Sequence, residues 1–267
     1  MGQRRVVGEG GRLTEDAAFR ATARLEQLPR VGLRSGRTRR ASAFSLAVLE
    51  LLDAKRKHLG TLPAGAFARW LEQYLSAQAQ AEPAGDVPCG DCNACCKASY
   101  FIAIAEEERE TIERIPRVHL TVSTRSHERQ WALEQSCGGS CPMLVDEACS
   151  IYEHRPRTCR RFDCRVFAAA AIAPGSGPRA AVNQQVWRWR FDYPSPADAL
   201  RQTALLDAAA FLQRRADLID PELAPADTSE LAKAAVFVHE LFLQANTQPH
   251  DDQQIASMLN HKLREAR

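Results

Sequence analysis

Phe67, Trp70, Leu71, Tyr74 and Leu75 recur at the i, i+3, i+4, i+7, i+8 spacing of one helical face. They predict an amphipathic helix with Pro63 near its start, its aromatics in the core. Upstream, Phe44, Val48, Leu51 and Leu52 keep the same period between Ser42, a candidate N-cap, and Gly60, a stop signal, and predict another helix. Residues 81–88 hold two prolines and a glycine and read as a linker. The pattern then changes. Residues 100–105, YFIAIA, are a short apolar run that reads as a strand, followed by an acidic helical stretch over 106–114. HLTVS at 119–123 and the apolar and basic alternation over 186–191 suggest two more strands, together a small sheet behind the intervening cysteines.

The last third of the chain returns to helical spacing. Ser195 can cap and Pro196 open a helix carrying Leu200, Leu205, Phe211 and Leu212. Asp227 or Thr228 can cap a helix with Leu231, Ala235, Val238 and Phe242, and a final helix holds Ile255, Leu259 and Leu263. No internal repeat or sustained heptad is seen. The expected class is α+β and mostly helical: a small cysteine-rich core with a little β-sheet, flanked by N- and C-terminal helices. The expected parts are a basic, disordered tail (1–40), two helices (41–82), a cysteine-cluster domain (86–166), a strand and loop that complete the core (167–194), and a helical region (195–267).

Composition adds bounds. A chain of 267 residues with 45% hydrophobic and 25% charged residues can bury a real core. No apolar run is long enough to span a bilayer. The net charge of +2 hides an asymmetry, since residues 1–40 carry ten Arg against four acidic residues. Gly and Arg without interleaved aromatics read as a solvated tail, not a nucleic-acid arm. The start, MGQRRVVGEGGRL, has no apolar segment of the export type, so a cytoplasmic and reducing setting is expected.

The chemistry lies in the nine cysteines, all between Cys89 and Cys164. A disulfide framework expects an exported chain and an even count, so metal ligation fits better. Cys89, Cys92 and Cys95 stand at two-residue gaps, which lets one tight turn aim three thiolates at a point. Cys96 follows directly, and because neighbouring side chains diverge, Cys95 and Cys96 should serve different sites or different jobs. Cys141, Cys149, Cys159 and Cys164 lack zinc-ribbon spacing and read as ligands brought in by the fold. Pro156 can start a short helix presenting Cys159 and then Cys164. Arg155, Arg157, Arg160, Arg161 and Arg165 surround Cys159, where guanidinium groups would stabilise thiolates. His154 reads as a surface or hydrogen-bonding residue, and Tyr152, Trp187 and Trp189 as core that could pack around a metal group.

The arrangement Cys89-x2-Cys92-x2-Cys95-Cys96, then Cys141-Pro-x-Leu, then Cys149-Ser-Ile-Tyr-Glu-x-Arg-Pro-x-x-Cys159-Arg-x-Phe-x-Cys164 resembles the YkgJ-type cysteine-cluster proteins, a zinc- or iron-chelating domain family. The resemblance spans about residues 86–166. It implies that Cys89, Cys92, Cys95, Cys96, Cys141, Cys149, Cys159 and Cys164 are the metal-binding set and that Cys137 is an extra. The family includes the flagellin lysine N-methylases. Zinc could fill closed four-thiolate sites. The first three gaps are those of a bacterial ferredoxin, and Cys141 precedes a proline as a fourth ferredoxin ligand does, which favours an iron-sulfur cluster. No glycine-rich loop after a strand suggests a site for S-adenosylmethionine. The expected function is therefore a metal-binding or redox module that works with another protein, with a metal-dependent protein lysine N-methyltransferase as the alternative; the residues name no catalytic group.

Overall fold

The computed structural model describes residues 59–80, 87–123, 130–134, 139–245 and 250–265. The expected helix around Phe44 to Leu52, the 1–40 tail and Cys137 lie outside the described residues. The architecture is α+β and mostly helical, as the periodicity implies.

Strand β1 (Leu62–Ala66) leads directly into helix α1 (Phe67–Gln80), whose inner face is Phe67, Trp70, Leu71, Tyr74 and Ala77. Pro63 does not open this helix. It lies in β1, which pairs in parallel with β7 (Trp189–Asp192), Leu62 opposite Trp189 and Pro63 opposite Arg190. A two-stranded ribbon leaves one side of each strand without a ladder partner, so a residue lacking an N–H is tolerated. The register slips between Pro63 and Gly65, where Gly65 has φ of +90°, a conformation open to a residue without a Cβ.

Strand β2 (Ile102–Ile104), helix α2 (Arg109–Arg114), strand β3 (Leu120–Ser123) and strand β4 (Gln130–Leu133) follow. The antiparallel sheet has the order β2-β4-β3, Ile102 and Leu120 both facing Leu133 across the ladders. Its central strand, QWAL, is too short to show an alternation, and the sequence pattern misses it. Strands β5 (Leu144–Val145) and β6 (Ala148–Cys149) form a minimal hairpin turned by Asp146 and Glu147, both at positive φ, the requirement of a tight two-residue turn.

Helix α3 (Arg157–Arg161) is the short helix expected after Pro156, though it ends before Cys164, whereas α4 (Arg165–Ala170) and α5 (Ala180–Arg188) occupy the stretch expected to be strand and loop. Only the last part of 186–191 is strand. Val182, Gln185 and Val186 are buried at helical spacing, and two-residue alternation starts at Trp189, with Trp189 and Phe191 in and Arg190 and Asp192 out. Helix α6 (Pro196–Arg214) begins with the expected cap, enlarged to a reciprocal box: Asp198 N–H donates to Ser195 Oγ at 3.3 Å and Ser195 N–H to Asp198 Oδ2 at 3.0 Å. Its Leu200 is exposed, not core. Asp227 caps α7 (Thr228–Ala245), accepting from the N–H groups of Ser229 and Glu230, whereas Thr228 Oγ1 donates to Pro174 O. Helix α8 (Asp252–Glu265) buries Ile255, Leu259 and Leu263. Among the described residues no helix is long and apolar enough to cross a membrane.

Two apolar clusters result among the described residues. The larger joins α1, α4, α5, β7, α6, α7 and α8, with the alanines of α4 letting its neighbours approach closely, and it takes in Cys164. The smaller, Ile102, Ile104, Ile115, Leu133, Met143 and Ile151, has Cys141, Cys149 and Cys159 packed against it.

Helix α4 ends on Ala171 at φ of +54°, with Ile172 N–H closing back to Phe167 O at 3.0 Å. A Cβ is unfavourable in that left-handed cap, where glycine is the usual residue. Replacing Ala171 by Gly should therefore stabilise the fold by about 0.5–1 kcal/mol after the added entropy of the unfolded chain is counted, seen as a higher urea midpoint.

Candidate metal centre

The cysteine segment is assembled by main-chain and side-chain clamps. Cys89 and Cys92 occupy a tight turn, Cys92 N–H donating to Cys89 O at 3.1 Å, and Cys95 and Cys96 lie in the 3₁₀ turn Ala94–Lys97 that follows. Cys141 N–H donates to Cys96 O at 2.7 Å, which ties the second half of the motif to the first. Glu147, at the tip of the β5–β6 hairpin, accepts from Asn93 Nδ2 at 2.9 Å and pairs with Lys97. The Lys97 hydrogen bond, then that of Asn93, holds this carboxyl below the ordinary range. Ser99 Oγ donates to Gly139 O at 2.8 Å, and a Cβ on Gly139 would run into that same hydroxyl.

Helix α3 is held from outside. Glu108, buried before α2, accepts from Ala105 N–H at 2.9 Å and from Arg157 N–H at 2.6 Å, so it satisfies the first amide of the helix that carries Cys159. Thr158 Oγ1 donates to Ala103 O of β2 at 2.6 Å. Pro156 stands just before the helix, as expected, and Cys164 just before α4.

The eight described cysteines are free thiols. Their electrostatics divide them. Burial raises Cys159 to about 12, and charge on Cys141, Cys96 and Cys149 adds to it. Cys141 is raised to about 11 by burial, opposed by the Met143 N–H on its sulfur and increased by Cys96 and Cys149, with the Leu144 N–H opposing further. Burial also raises Cys149, against the Ile151 N–H, and Cys96 adds to the rise. Every pair among Cys96, Cys141, Cys149 and Cys159 is thus within mutual influence. A second group is Cys89, Cys92 and Cys164. Cys89 is raised to about 11 by burial, then by Cys92 and Asp163. Cys164 is raised to about 12 by burial, lowered by a hydrogen bond from Trp189, and raised again by Asp163, Cys89 and Cys92. Cys95, exposed, lies at the join. Its hydrogen bond with Cys96 is the largest cause of that thiol's rise, ahead of burial, and its charge also reaches Tyr100, which Cys164 influences too.

Asp163 and Arg165 flank Cys164 and are both buried. Arg165 donates through Nε at 2.9 Å and through a terminal nitrogen at 2.7 Å to the Asp163 carboxylate, and reaches Ala64 O of β1 at 3.2 Å. Trp70 Nε1 of α1 donates to Asp163 Oδ2 at 2.9 Å. Of the five arginines expected to surround the thiols, Arg155 acts on both groups, through Cys149 and Cys159 on one side and Cys89 on the other. Arg165, paired with Asp163, also opposes the rise at Cys89, ahead of Arg155, whereas Arg157 pairs with Glu107, Arg160 with Glu108, and Arg161 lies near Tyr74. His154 pairs with Glu110, and Tyr152 is exposed beneath the Arg155 guanidinium.

Soft sulfur donors with N–H groups aimed at sulfur suit a thiophilic metal, because such hydrogen bonds favour the thiolate. The gathering is one of neighbourhood, since among the described residues no three Cys, His, Asp or Glu side chains already converge in ligand geometry. The residues that sequence reasoning missed are Glu108, Glu147, Asp163 and the Trp189 N–H; none belongs to a spacing pattern, and each acts through a partner distant in sequence or through its own backbone turn.

Residues 88–182 match the CxxCxxCC family, described as "putative zinc- or iron-chelating domain". The match meets the resemblance seen in the motif and reaches beyond Cys164 through α4 into α5. No curated protein and no solved structure matches the chain.

Two outcomes follow from this geometry. Glu108→Ala removes the acceptor of two amides and should cost the metal-free fold about 1–3 kcal/mol in chemical denaturation, with Glu108→Gln milder. For the reduced, metal-free chain, the unfolded thiols titrate near 9.0 while folded Cys89 and Cys141 stay protonated to about 11 and Cys159 and Cys164 to about 12. The unfolded state therefore binds fewer protons above pH 9, so this contribution is whole below that pH and is lost as pH rises toward 12. A urea midpoint that falls across this alkaline range checks it.

Proposed function

We propose that this protein is a thiolate metal-binding module with two groups of ligands, mounted on a helical scaffold and acting as a binding or redox module toward another protein. One group is Cys96, Cys141, Cys149 and Cys159. The other is Cys89, Cys92 and Cys164, with Cys95 between them as the eighth thiol. The observation that carries the reading is the mutual neighbourhood of the four thiols in the first group, with backbone N–H groups of Met143, Leu144 and Ile151 directed at two of the sulfurs. Four thiolates on four separate pieces of chain are the donor set of a closed site that holds loops together.

The metal supplies charge neutralisation and cross-linking, and electron transfer if it is iron. The chain's residues supply the rest: Arg155 offsets thiolate charge at both groups, Glu147 and Asn93 hold the first cysteine turn on the hairpin, and Glu108 holds Cys159 in place. Within the first motif, Cys89 and Cys92 act together while Cys95 turns toward Cys96 and Tyr100, an arrangement that supports two metal positions better than a single ferredoxin-like trio. No observation favours the methyltransferase alternative.

Protein purified without oxygen should carry metal in fixed proportion, and elemental analysis with an assay for acid-labile sulfide distinguishes zinc from an iron-sulfur cluster. Cys159→Ser should lose the metal of one group and Cys92→Ser that of the other, while Cys137→Ser keeps both. Equal loss in all three variants, or protein without metal, would overturn the two-group reading.

A further inference from the structure

Trp189 is fully buried at the start of β7, and its Nε1–H donates to Cys164 Sγ at 3.2 Å. We propose that Trp189 is the positioning and tuning residue of the Cys89, Cys92 and Cys164 group, stabilising its sulfur charge by this indole hydrogen bond. The proposal rests on the metal-binding reading above and adds to it a side chain with a distinct role.

Three observations carry it. First, the two groups are supported differently. In the group of Cys96, Cys141, Cys149 and Cys159 the donors to sulfur are backbone amides of the turns that follow Cys141 and Cys149. At Cys164 the donor is a side chain that comes from 25 residues further along the chain. Second, Cys164 stands beside the buried Asp163 carboxylate, which Trp70 and Arg165 hold by hydrogen bonds. Asp163 cannot turn toward the thiols without giving up Trp70 and Arg165, so it acts as a fixed charge and not as a ligand. Arg165 already pairs with that carboxylate, so the indole is the donor placed on the Cys164 sulfur itself. Third, the indole is itself held, because Trp189 pairs with Leu62 across the β1–β7 ladder and packs in the larger apolar cluster. Its N–H is therefore oriented before any ion arrives, which is the condition for a second-sphere group to set ligand direction and charge.

The test uses the full reduced chain without oxygen and Co²⁺ as the probe, followed by thiolate-to-cobalt absorption and by competition with a chelator. Trp189→Phe removes the N–H but also thins the core. Trp189→benzothienylalanine keeps the bicyclic shape and removes only the donor, so that chain carries the decision, and Trp187→Phe is the control. Two binding events are expected in the unmodified chain. Loss of the donor should weaken one event by about 10-fold or more, the range for removing an outer-sphere partner of a metal ligand, and should move the charge-transfer band of that event to longer wavelength as the sulfur becomes more electron-rich. The other event and its band should not move. Both events unchanged in the benzothienylalanine chain, or both weakened equally, would overturn the role given to Trp189. An unmodified chain that takes up no cobalt would instead overturn the metal reading itself.

Discussion

The buried ion pair of Asp163 and Arg165 is the constraint around which the molecule is arranged. A carboxylate and a guanidinium taken out of water are costly unless each remaining polar atom is satisfied. Here they are paired in a forked contact, and the outer valences are taken by Trp70 of α1 and the Ala64 carbonyl of β1. The pair therefore ties α1 and β1 to the segment that carries Cys164. Because Cys164 lies between the two charged residues, the lock that docks α1 and β1 also decides where that thiol stands.

From this point the chain separates its sulfur into two environments. Cys164 belongs to the larger helical cluster, while Cys141, Cys149 and Cys159 pack against the smaller cluster under the three-stranded sheet. The turn carrying Cys95 and Cys96 runs between the two, tied to Cys141 by the hydrogen bond from Cys141 N–H to Cys96 O and to the hairpin by Glu147. Contrary to the expected divergence of neighbouring side chains, Cys95 and Cys96 share a hydrogen bond, which links the two sides. Burial is the first cause of the raised thiols at Cys89, Cys141, Cys149, Cys159 and Cys164, and at Cys96 it follows the Cys95 hydrogen bond. Without metal these sulfurs favour the protonated form, so ion uptake would be linked to proton release and to folding of the segment.

The long helices were legible in the sequence because each carries a periodic apolar face or a cap of its own: Phe67 to Tyr74 for α1, Ser195 and Pro196 for α6, Asp227 for α7, and Ile255, Leu259 and Leu263 for α8. The metal-binding character of the central segment was legible too, since two-residue cysteine gaps are local chemistry; the contact of Cys95 with Cys96 was not, because neighbouring side chains were expected to diverge. What tertiary structure alone decided depends on groups far apart in the chain or too short to show a period. Strand β4 has only four residues, and α5 turns to strand at Trp189 inside a run that alternates in composition alone. The distribution of Cys141, Cys149, Cys159 and Cys164 between two groups follows from which apolar cluster each element joins. The partners of Glu108, Asp163 and Trp189 come from contacts across 49, 93 and 25 residues of chain, and no local spacing encodes a hydrogen bond that forms only when those segments pack.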